Sequence, residues 1–259
     1  MEYFWKQQYD IPAGMGYPLF GVAHLLSVLV TLSVVTTLII ALRHSDEKKQ
    51  LRFLKILPIF MVLLEMFKDG FLIHVHRFGL GYLPLHVCSI GIFVFILREF
   101  LPWKKAKEVL GEIAFILIMP GAIAALLFPD WTTLYPVFNF MNLYSYVWHG
   151  ALVLYPVMLM VRGDIAPTVG HIHWVLGFLC VIVPPIYAFD KHFGCNYFFV
   201  NRPVADTPLE WMASFMGNPG YLIGYAALTV SVFLLMYLFI YLIKRICRQC
   251  NPNLLQKSE

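Results

Sequence analysis

Charged residues are scarce in this chain. Only 13% of its 259 residues are Asp, Glu, Lys or Arg, whereas these four make up about a quarter of an ordinary soluble domain. Apolar residues reach 60%, and the mean hydropathy is +0.72. So few charges cannot cover a soluble globule of this size. The composition therefore excludes that class and predicts a multi-pass protein of the cell membrane.

Other familiar signals are also missing. Residues 1–17 hold aromatics, charges and Pro12 rather than a basic region followed by a short apolar core, so we expect no secretory signal and insertion through the first span. There is no low-complexity stretch and no convincing inverted repeat of the kind that many secondary transporters carry. The net charge of +4 follows from lysine and arginine concentrated in some of the loops, so it predicts no nucleic-acid partner.

Long apolar runs dominate what remains. Crossing the hydrocarbon takes about 20 apolar residues, and seven runs of suitable length and composition are present. They predict an all-α fold, a seven-transmembrane-helix bundle that forms a single domain over residues 1–259. The predicted spans are Pro18–Leu42, Phe53–His74, Pro84–Phe100, Val109–Phe128, Leu143–Val161, Ile172–Phe189 and Tyr221–Ile243.

The orientation follows from lysine and arginine, which are enriched in cytoplasmic loops. Alternate connections along the chain carry these residues, which places the N-terminus outside and the C-terminus in the cytoplasm. The positively charged segments contain Arg43, Lys48, Lys49 and Arg52, then Arg98, Lys104, Lys105 and Lys107, and finally Lys244, Arg245, Arg248 and Lys257.

Polar residues within the spans concentrate near the predicted outer ends, and the cytoplasmic halves of most spans are nearly uniformly apolar. Glu65, Lys68 and Asp69 lie in the outer half of the second span. Intramembrane charges are costly and mark functional sites by default. The spacing of Glu65 and Lys68 also suits an ion pair within one helix, and both interpretations stay open.

Two further groupings are weaker. His74, His76 and His192 are expected on the outer side with Asp190, but their spacing is not that of a known metal site, so we expect neither a metal nor a cofactor. The Cys247 and Cys250 pair lacks the second pair that a zinc site needs, and juxtamembrane cysteines are also lipidation candidates. The role of this cysteine pair stays open.

Cys88 is the strongest candidate nucleophile. Pro84 suits the first position of a helix, which would place Cys88 in the opening turns, where the helix dipole favours a thiolate. His86 lies two residues away, about 200° round a helix, so we expect the base to come from elsewhere. Packing is the alternative role for a buried cysteine.

His149 is the candidate base, because it enters the bundle from the same side and at a comparable depth. Ser145 and Tyr146 precede it by four and three residues, share its face, and are candidates to fix its tautomer by a hydrogen bond. A thiol, an imidazole and a third group that orients the base form the general arrangement for covalent acyl transfer.

Four short segments carry a family resemblance. The run Leu83–Cys88, the Trp148-His149 step, and the segments Gly194–Pro203 and Gly217–Tyr221 resemble the YwaF family of bacterial integral membrane proteins. That family is related to a eukaryotic acyltransferase that moves polyunsaturated acyl chains onto ether lysophospholipids through an acyl-cysteine thioester, without acyl-CoA. The resemblance implies that Cys88 is the nucleophile and His149 the base.

The predicted function is a lipid acyltransferase or acyl hydrolase of the outer leaflet, with phospholipids or lysophospholipids as partners. His86, Asn196 and Arg202 are candidate oxyanion donors, Lys68 or Arg202 a candidate phosphate ligand, and Glu65 and Tyr146 further residues of the site. One alternative is an outward-facing transporter or binding protein for a small solute, with no covalent step. Another is a sensor or scaffold subunit whose tail, Lys244–Glu259, binds a partner. The oligomeric state stays open.

Overall fold

The computed structural model describes residues 2–205 and 207–250, with the side chains of residues 247–250 left out. All regular secondary structure within these residues is helical, which confirms the all-α prediction. The chain divides into two compact units, Met1–Ile165 and Ala166–Glu259. The single domain stays a prediction.

The first unit holds six α-helices. The fourth and fifth form one continuous rod, because a π-helical segment, Ala114–Ile118, joins them without a break. The helices are α1 (Val22–Arg43), α2 (Glu47–His74), α3 (Val87–Phe100), α4 (Lys104–Ile113), α5 (Met119–Leu127) and α6 (Phe140–Arg162).

The second unit contains three α-helices in its described part, α7 (Ile172–Phe193), α8 (Pro208–Met216) and α9 (Tyr221–Cys250). The short helix α8 lies in the stretch between the last two spans, where the sequence analysis assigned no element. Its first residue is Pro208, and the Thr207 hydroxyl accepts a hydrogen bond from the Leu209 N–H. A proline in the first turn and a capping threonine before it are usual at a helix start.

Five helices of the described chain are long and apolar enough to cross a membrane, which supports a multi-pass membrane protein. They are Val22–Arg43, Lys104–Leu127, Phe140–Arg162, Val169–Phe193 and Tyr221–Ile246. The two other predicted spans also fold as helices, but α2 begins with a charged segment and α3 has only 14 residues.

Side-chain contacts fix the directions of the central helices. α2 runs antiparallel to α6, because Glu65 bonds to Tyr144 near the start of α6 and Gln50 bonds to Arg162 at its end. α3 runs parallel to α6, since Glu99 near its end bonds to Tyr155. The starts of α3 and α6 and the end of α2 therefore lie at the same end of the unit, which we call the site end.

α3 packs closely against α6 and the π-helical segment. Gly91 lies against Leu152 of α6 and Ile118 of the π-helical segment, and a Cβ at this position would come within 2.8 Å of the Leu152 Cδ2. Helices with a small residue at the contact approach each other closely. This contact sets the depth at which the first turn of α3 lies beside α6.

The start of α3 differs from the prediction. The helix begins at Val87 rather than at Pro84, because Leu83 and His86 have extended backbones (ψ 147° and 153°). A 3₁₀ turn, Leu80–Tyr82, comes just before. As a result Cys88 is the second residue of the helix.

Candidate functional site

Cys88 is a free, half-buried cysteine in the first turn of α3. The first N–H groups of an α-helix have no partner within the helix, and the N-cap residue, His86, makes no side-chain capping bond. Cys88 therefore lies at the positive end of the α3 dipole, a position that stabilises negative charge.

The imidazole of His149 is held in one orientation. Its Nδ1 lies 2.7 Å from the carbonyl oxygen of Ser145, one turn earlier in α6. A carbonyl can only accept, so Nδ1 carries the proton and Nε2 is the basic nitrogen. The predicted partner residue is right but its atom is not, because the Ser145 hydroxyl donates to Met141 instead.

Tyr146 plays a different part from the one predicted. The Tyr17 hydroxyl donates to the Asn142 side-chain oxygen at 2.8 Å, so the Tyr146 hydroxyl, 3.3 Å away, donates to Tyr17. The Tyr146 ring contacts Trp131 edge-on, and the Trp131 ring stacks on the His149 imidazole with centroids 5.2 Å apart and planes 6° apart. Tyr146 thus supports the stack from outside and does not bond to His149 itself.

His86 lies close to His149, the candidate base, and to Lys68. It is close enough to His149 and to Lys68 for their charges to interact. Since its backbone is extended, the helical angle of about 200° that separated it from Cys88 in the sequence does not apply. Between described residues no hydrogen bond joins the Cys88 thiol to His149, and His86 lies in their vicinity.

Three charged residues of α2 form a buried group beside this site. Lys68 Nζ lies 2.8 Å from Glu65 Oε1 and 3.2 Å from Asp69 Oδ1. The Tyr144 hydroxyl donates to the other oxygen of Glu65, and the Lys68 ammonium lies 5.5 Å from the centre of the Tyr144 ring. Tyr144 is also close enough to Cys88 for their charges to interact.

The charges of this group bear on the predicted role of Lys68 in phosphate binding. Two carboxylates already contact its ammonium, and the three side chains together carry a formal charge of −1. A phosphate would add further negative charge to a buried, net negative group. Lys68 is therefore better suited to hold Glu65, and through it the hydroxyl of Tyr144, in place.

The N-terminal segment, residues 2–17, covers the site end, and we call it the cap. The side-chain amide of Gln7 is buried and donates to the hydroxyls of Tyr82 and Tyr135 at 3.0 and 3.5 Å. At the other edge of the cap, Tyr17 bonds to Asn142 and Tyr146 of α6.

Further bonds fasten the cap to the start of α6. The side-chain amide of Asn139, the N-cap residue of α6, donates to the carbonyl oxygens of Tyr3 and Lys6. Asp10 pairs with Arg77 at 2.9 Å, just beyond the end of α2. The cap therefore contacts the segments that carry both Cys88 and His149.

Asn196 and Arg202 belong to the second unit. The Asn196 side-chain oxygen accepts from the backbone N–H groups of Asn201 and Arg202, so it stabilises its own loop. In the same unit Asp190 is fully buried, and its carboxylate oxygens have no hydrogen-bond partner. Among the described residues, no group of three or more His, Cys, Asp or Glu is placed to hold a metal ion.

A second buried polar group lies at the opposite end of the first unit, where the sequence predicted nearly uniformly apolar halves for most spans. Glu99 accepts hydrogen bonds from Arg98 and from Tyr155, both at 2.6 Å. Asp164 bonds to Arg162 at 3.0 Å and lies 3.7 Å from Arg98. The sequence signal was the adjacent pair Arg98 and Glu99, of which only Arg98 entered the prediction, as one of the residues that orient the chain.

Comparison with known proteins identifies the family. A family model matches residues 19–237, well over half of the chain. The chain belongs to the TMEM164 family. This is a family of membrane proteins, which is consistent with a relation to the ether-phospholipid acyltransferase, whereas membership of the YwaF family is not confirmed. Neither the curated proteins nor the solved structures contain a significant match.

The region that matches the TMEM164 family contains Cys88, His149 and the buried charges of α2. The whole cap precedes it, since the match begins at residue 19. The family therefore covers the candidate site, while the cap is a feature described from this chain alone.

Proposed function

We propose that this TMEM164-family protein is a membrane-embedded lipid acyltransferase, or acyl hydrolase, that works through an acyl-Cys88 intermediate and needs no acyl-CoA. The observation that carries the proposal is a thiol in the first turn of α3 together with a histidine of fixed tautomer in the first half of α6, the helix that runs parallel to α3. His149 Nδ1 bonds to a carbonyl, so Nε2 is left as the base. Cys88 lies in the first turn of α3, where the helix dipole favours its thiolate.

In the first half-reaction His149 Nε2 takes the proton of the Cys88 thiol. The sulfur attacks the carbonyl carbon of a lipid ester, and the C=O π electrons move to the oxygen. When the intermediate collapses, the bond to the alkoxide oxygen breaks, and the leaving alkoxide takes the proton from the imidazolium. The products are a thioester on Cys88 and a lysolipid.

In the second half-reaction the hydroxyl of another lysolipid, or water, attacks the thioester. His149 accepts the hydroxyl proton, the C–S bond breaks, and the Cys88 sulfur receives that proton again. Transfer and hydrolysis differ only in the acceptor, so exclusion of water decides between them. The cap supports transfer, because it covers the end of the first unit where the thiol lies.

The oxyanion needs donors placed before the reaction. The unpaired N–H groups in the first turn of α3 are the nearest backbone donors, since Cys88 itself belongs to that turn. His86 is a further candidate, as it lies near both Lys68 and His149. The predicted roles of Asn196 and Arg202, which belong to the second unit, stay predictions.

We further propose that all seven predicted spans cross the cell membrane, with the N-terminus outside. α2 has 28 residues, and its buried charges are satisfied within the bundle by one another and by Tyr144. Buried, paired charges are the form in which membrane helices tolerate them. α3 is short, but the extended residues before it add length. This orientation puts Cys88 in the outer half of the membrane, where outer-leaflet ester groups lie.

The test is acyl exchange in proteoliposomes that contain a phospholipid with a deuterated acyl chain and an unlabelled lysophospholipid. Mass spectrometry of the lipids should show label on the acceptor with the wild type, and none with Cys88→Ala or His149→Ala. Cys180→Ala is the matched control, since Cys180 lies exposed on α7 in the second unit. Absence of exchange and of hydrolysis with the wild type would favour the solute-binding alternative.

A further inference from the structure

Two successive side chains in the α5–α6 connection carry buried donors without partners. The indole nitrogen of Trp131 and the hydroxyl oxygen of Thr132 are both shielded from solvent and have no hydrogen-bond partner among the residues that the structure describes. Buried polar groups in native proteins are almost always satisfied. An orphaned donor is destabilising unless water or a ligand supplies an acceptor.

The position of the Trp131 ring makes this nitrogen relevant to the site. The ring stacks on the His149 imidazole at 5.2 Å with nearly parallel planes and meets Tyr146 edge-on at 5.9 Å. Because an indole N–H points outward in the plane of its ring, Trp131 cannot donate to the imidazole stacked on its face. The donor therefore points to a group beside the stack.

The same geometry restricts His149. With Nδ1 bonded to Ser145, its remaining nitrogen acts in the plane of an imidazole that lies parallel to the indole. A reacting group at the edge of the stack can meet both rings. An ester suits that place, because its carbonyl oxygen is an acceptor only and its carbon is the centre that the Cys88 sulfur attacks.

We infer that the indole N–H of Trp131 donates a hydrogen bond to the carbonyl oxygen of the bound acyl ester. This inference rests on the proposed function and adds a substrate-contacting residue to it. The bond strengthens as charge develops on the oxygen, so Trp131 acts on the acylation rate more than on lipid binding. Trp131 is then a catalytic residue in addition to Cys88 and His149.

The test replaces Trp131 by benzothienylalanine, which keeps the size and stacking of indole but has sulfur in place of the N–H. We expect kcat for acyl transfer to fall about a hundredfold, and KM to rise by a much smaller factor, since the bond to the ground-state ester is weaker. The thermal midpoint of the lipid-free protein should stay the same or rise, because the replacement removes an unsatisfied donor. The same replacement at Trp103, which is exposed, is the control and should change neither quantity.

Two results would overturn the inference. An unchanged kcat would show that the N–H contributes nothing to the reaction, while a lower midpoint of the lipid-free protein would show that it already has a structural partner. If the wild type transfers no acyl chain, the proposed function fails instead. The inference is then decided by the increase in thermal midpoint that phosphatidylcholine produces. This increase should be smaller in the Trp131 variant than in the wild type. Equal increases in the two proteins would show that Trp131 binds no ester.

Discussion

Removal of the Lys68 ammonium should destabilise the first unit strongly. Lys68 contacts two carboxylates, at 2.8 and 3.2 Å, and its side chain is 8% exposed. Lys68→Met keeps the apolar stem and leaves Glu65 and Asp69 without their counter-charge. Loss of one partner from a buried ion pair costs about 3–5 kcal/mol, and we expect a loss of unfolding free energy in that range.

Glu65→Gln is the informative comparison, because it removes one carboxylate and keeps the shape. Lys68 then still pairs with Asp69, and the amide oxygen of the glutamine can accept from its ammonium. Loss of one hydrogen-bond partner costs about 1–3 kcal/mol, so this variant should be the milder one. The double variant should lose less than the sum of both, since only Asp69 remains charged.

The assay is reversible unfolding of the purified protein in mixed micelles, followed by circular dichroism. Lys49→Met is the matched control, because Lys49 pairs with Asp46 in an exposed setting, and such pairs contribute about 0–1 kcal/mol. Equal losses for Lys68→Met and Lys49→Met would refute the reasoning. They would mean that the charges of α2 are solvated and not part of a buried group.

The cap and the helix packing give two further predictions. Gln7→Ala should speed labelling of Cys88 by a charged maleimide about tenfold or more, since its buried amide holds the cap closed. Gln8→Ala, the neighbouring glutamine, should have no effect, and equal rates would contradict a closing role. Gly91→Ala should lower the free energy of unfolding by about 1–3 kcal/mol through overpacking. Gly70→Ala, with open space around it, should raise the free energy of unfolding by about 0.5–1 kcal/mol. Thermal unfolding of both variants tests this, and equal effects of the two substitutions would contradict it.

Helix positions in this chain were predictable, because long apolar runs allow little else in a membrane. Each predicted span coincides with a helix, although α2 extends six residues earlier than predicted and α6 three. The start of α3 was not predictable, since a proline suits both the first turn of a helix and an extended strand before it. The first turns of α2 carry charged residues, so hydropathy places the start of this helix too late. Asp46 caps the actual start, because its side chain accepts a hydrogen bond from the Lys49 N–H.

The candidate site was predicted only for residues with reactive side chains. Cys88 and His149 stand out by type, and Glu65 and Lys68 by their charge in an apolar run. Trp131 and Tyr144 gave no signal, because aromatic residues are common at membrane interfaces and only the fold brings one beside His149 and the other beside Glu65. The bond that His149 donates to Ser145 likewise ends on a backbone carbonyl oxygen, which no side-chain pattern reveals.

The cap shows the same limit over a longer range. Gln7 lies 75 residues from Tyr82 and 128 from Tyr135 along the chain, and a single polar residue near the N-terminus does not predict such contacts. Loops and termini take their structure from what they cover. The contacts of such a segment can be predicted only after the fold has positioned the helix ends that it covers.

The central claim is the covalent intermediate, and intact-protein mass spectrometry after incubation with phospholipids tests it most directly. The account predicts an added acyl mass on the wild type that hydroxylamine removes, located on Cys88 by peptide analysis, and absent from Cys88→Ala and His149→Ala. An adduct that persists in Cys88→Ala, or a wild type that turns over lipid while Cys88 stays unmodified at every time point, would contradict it.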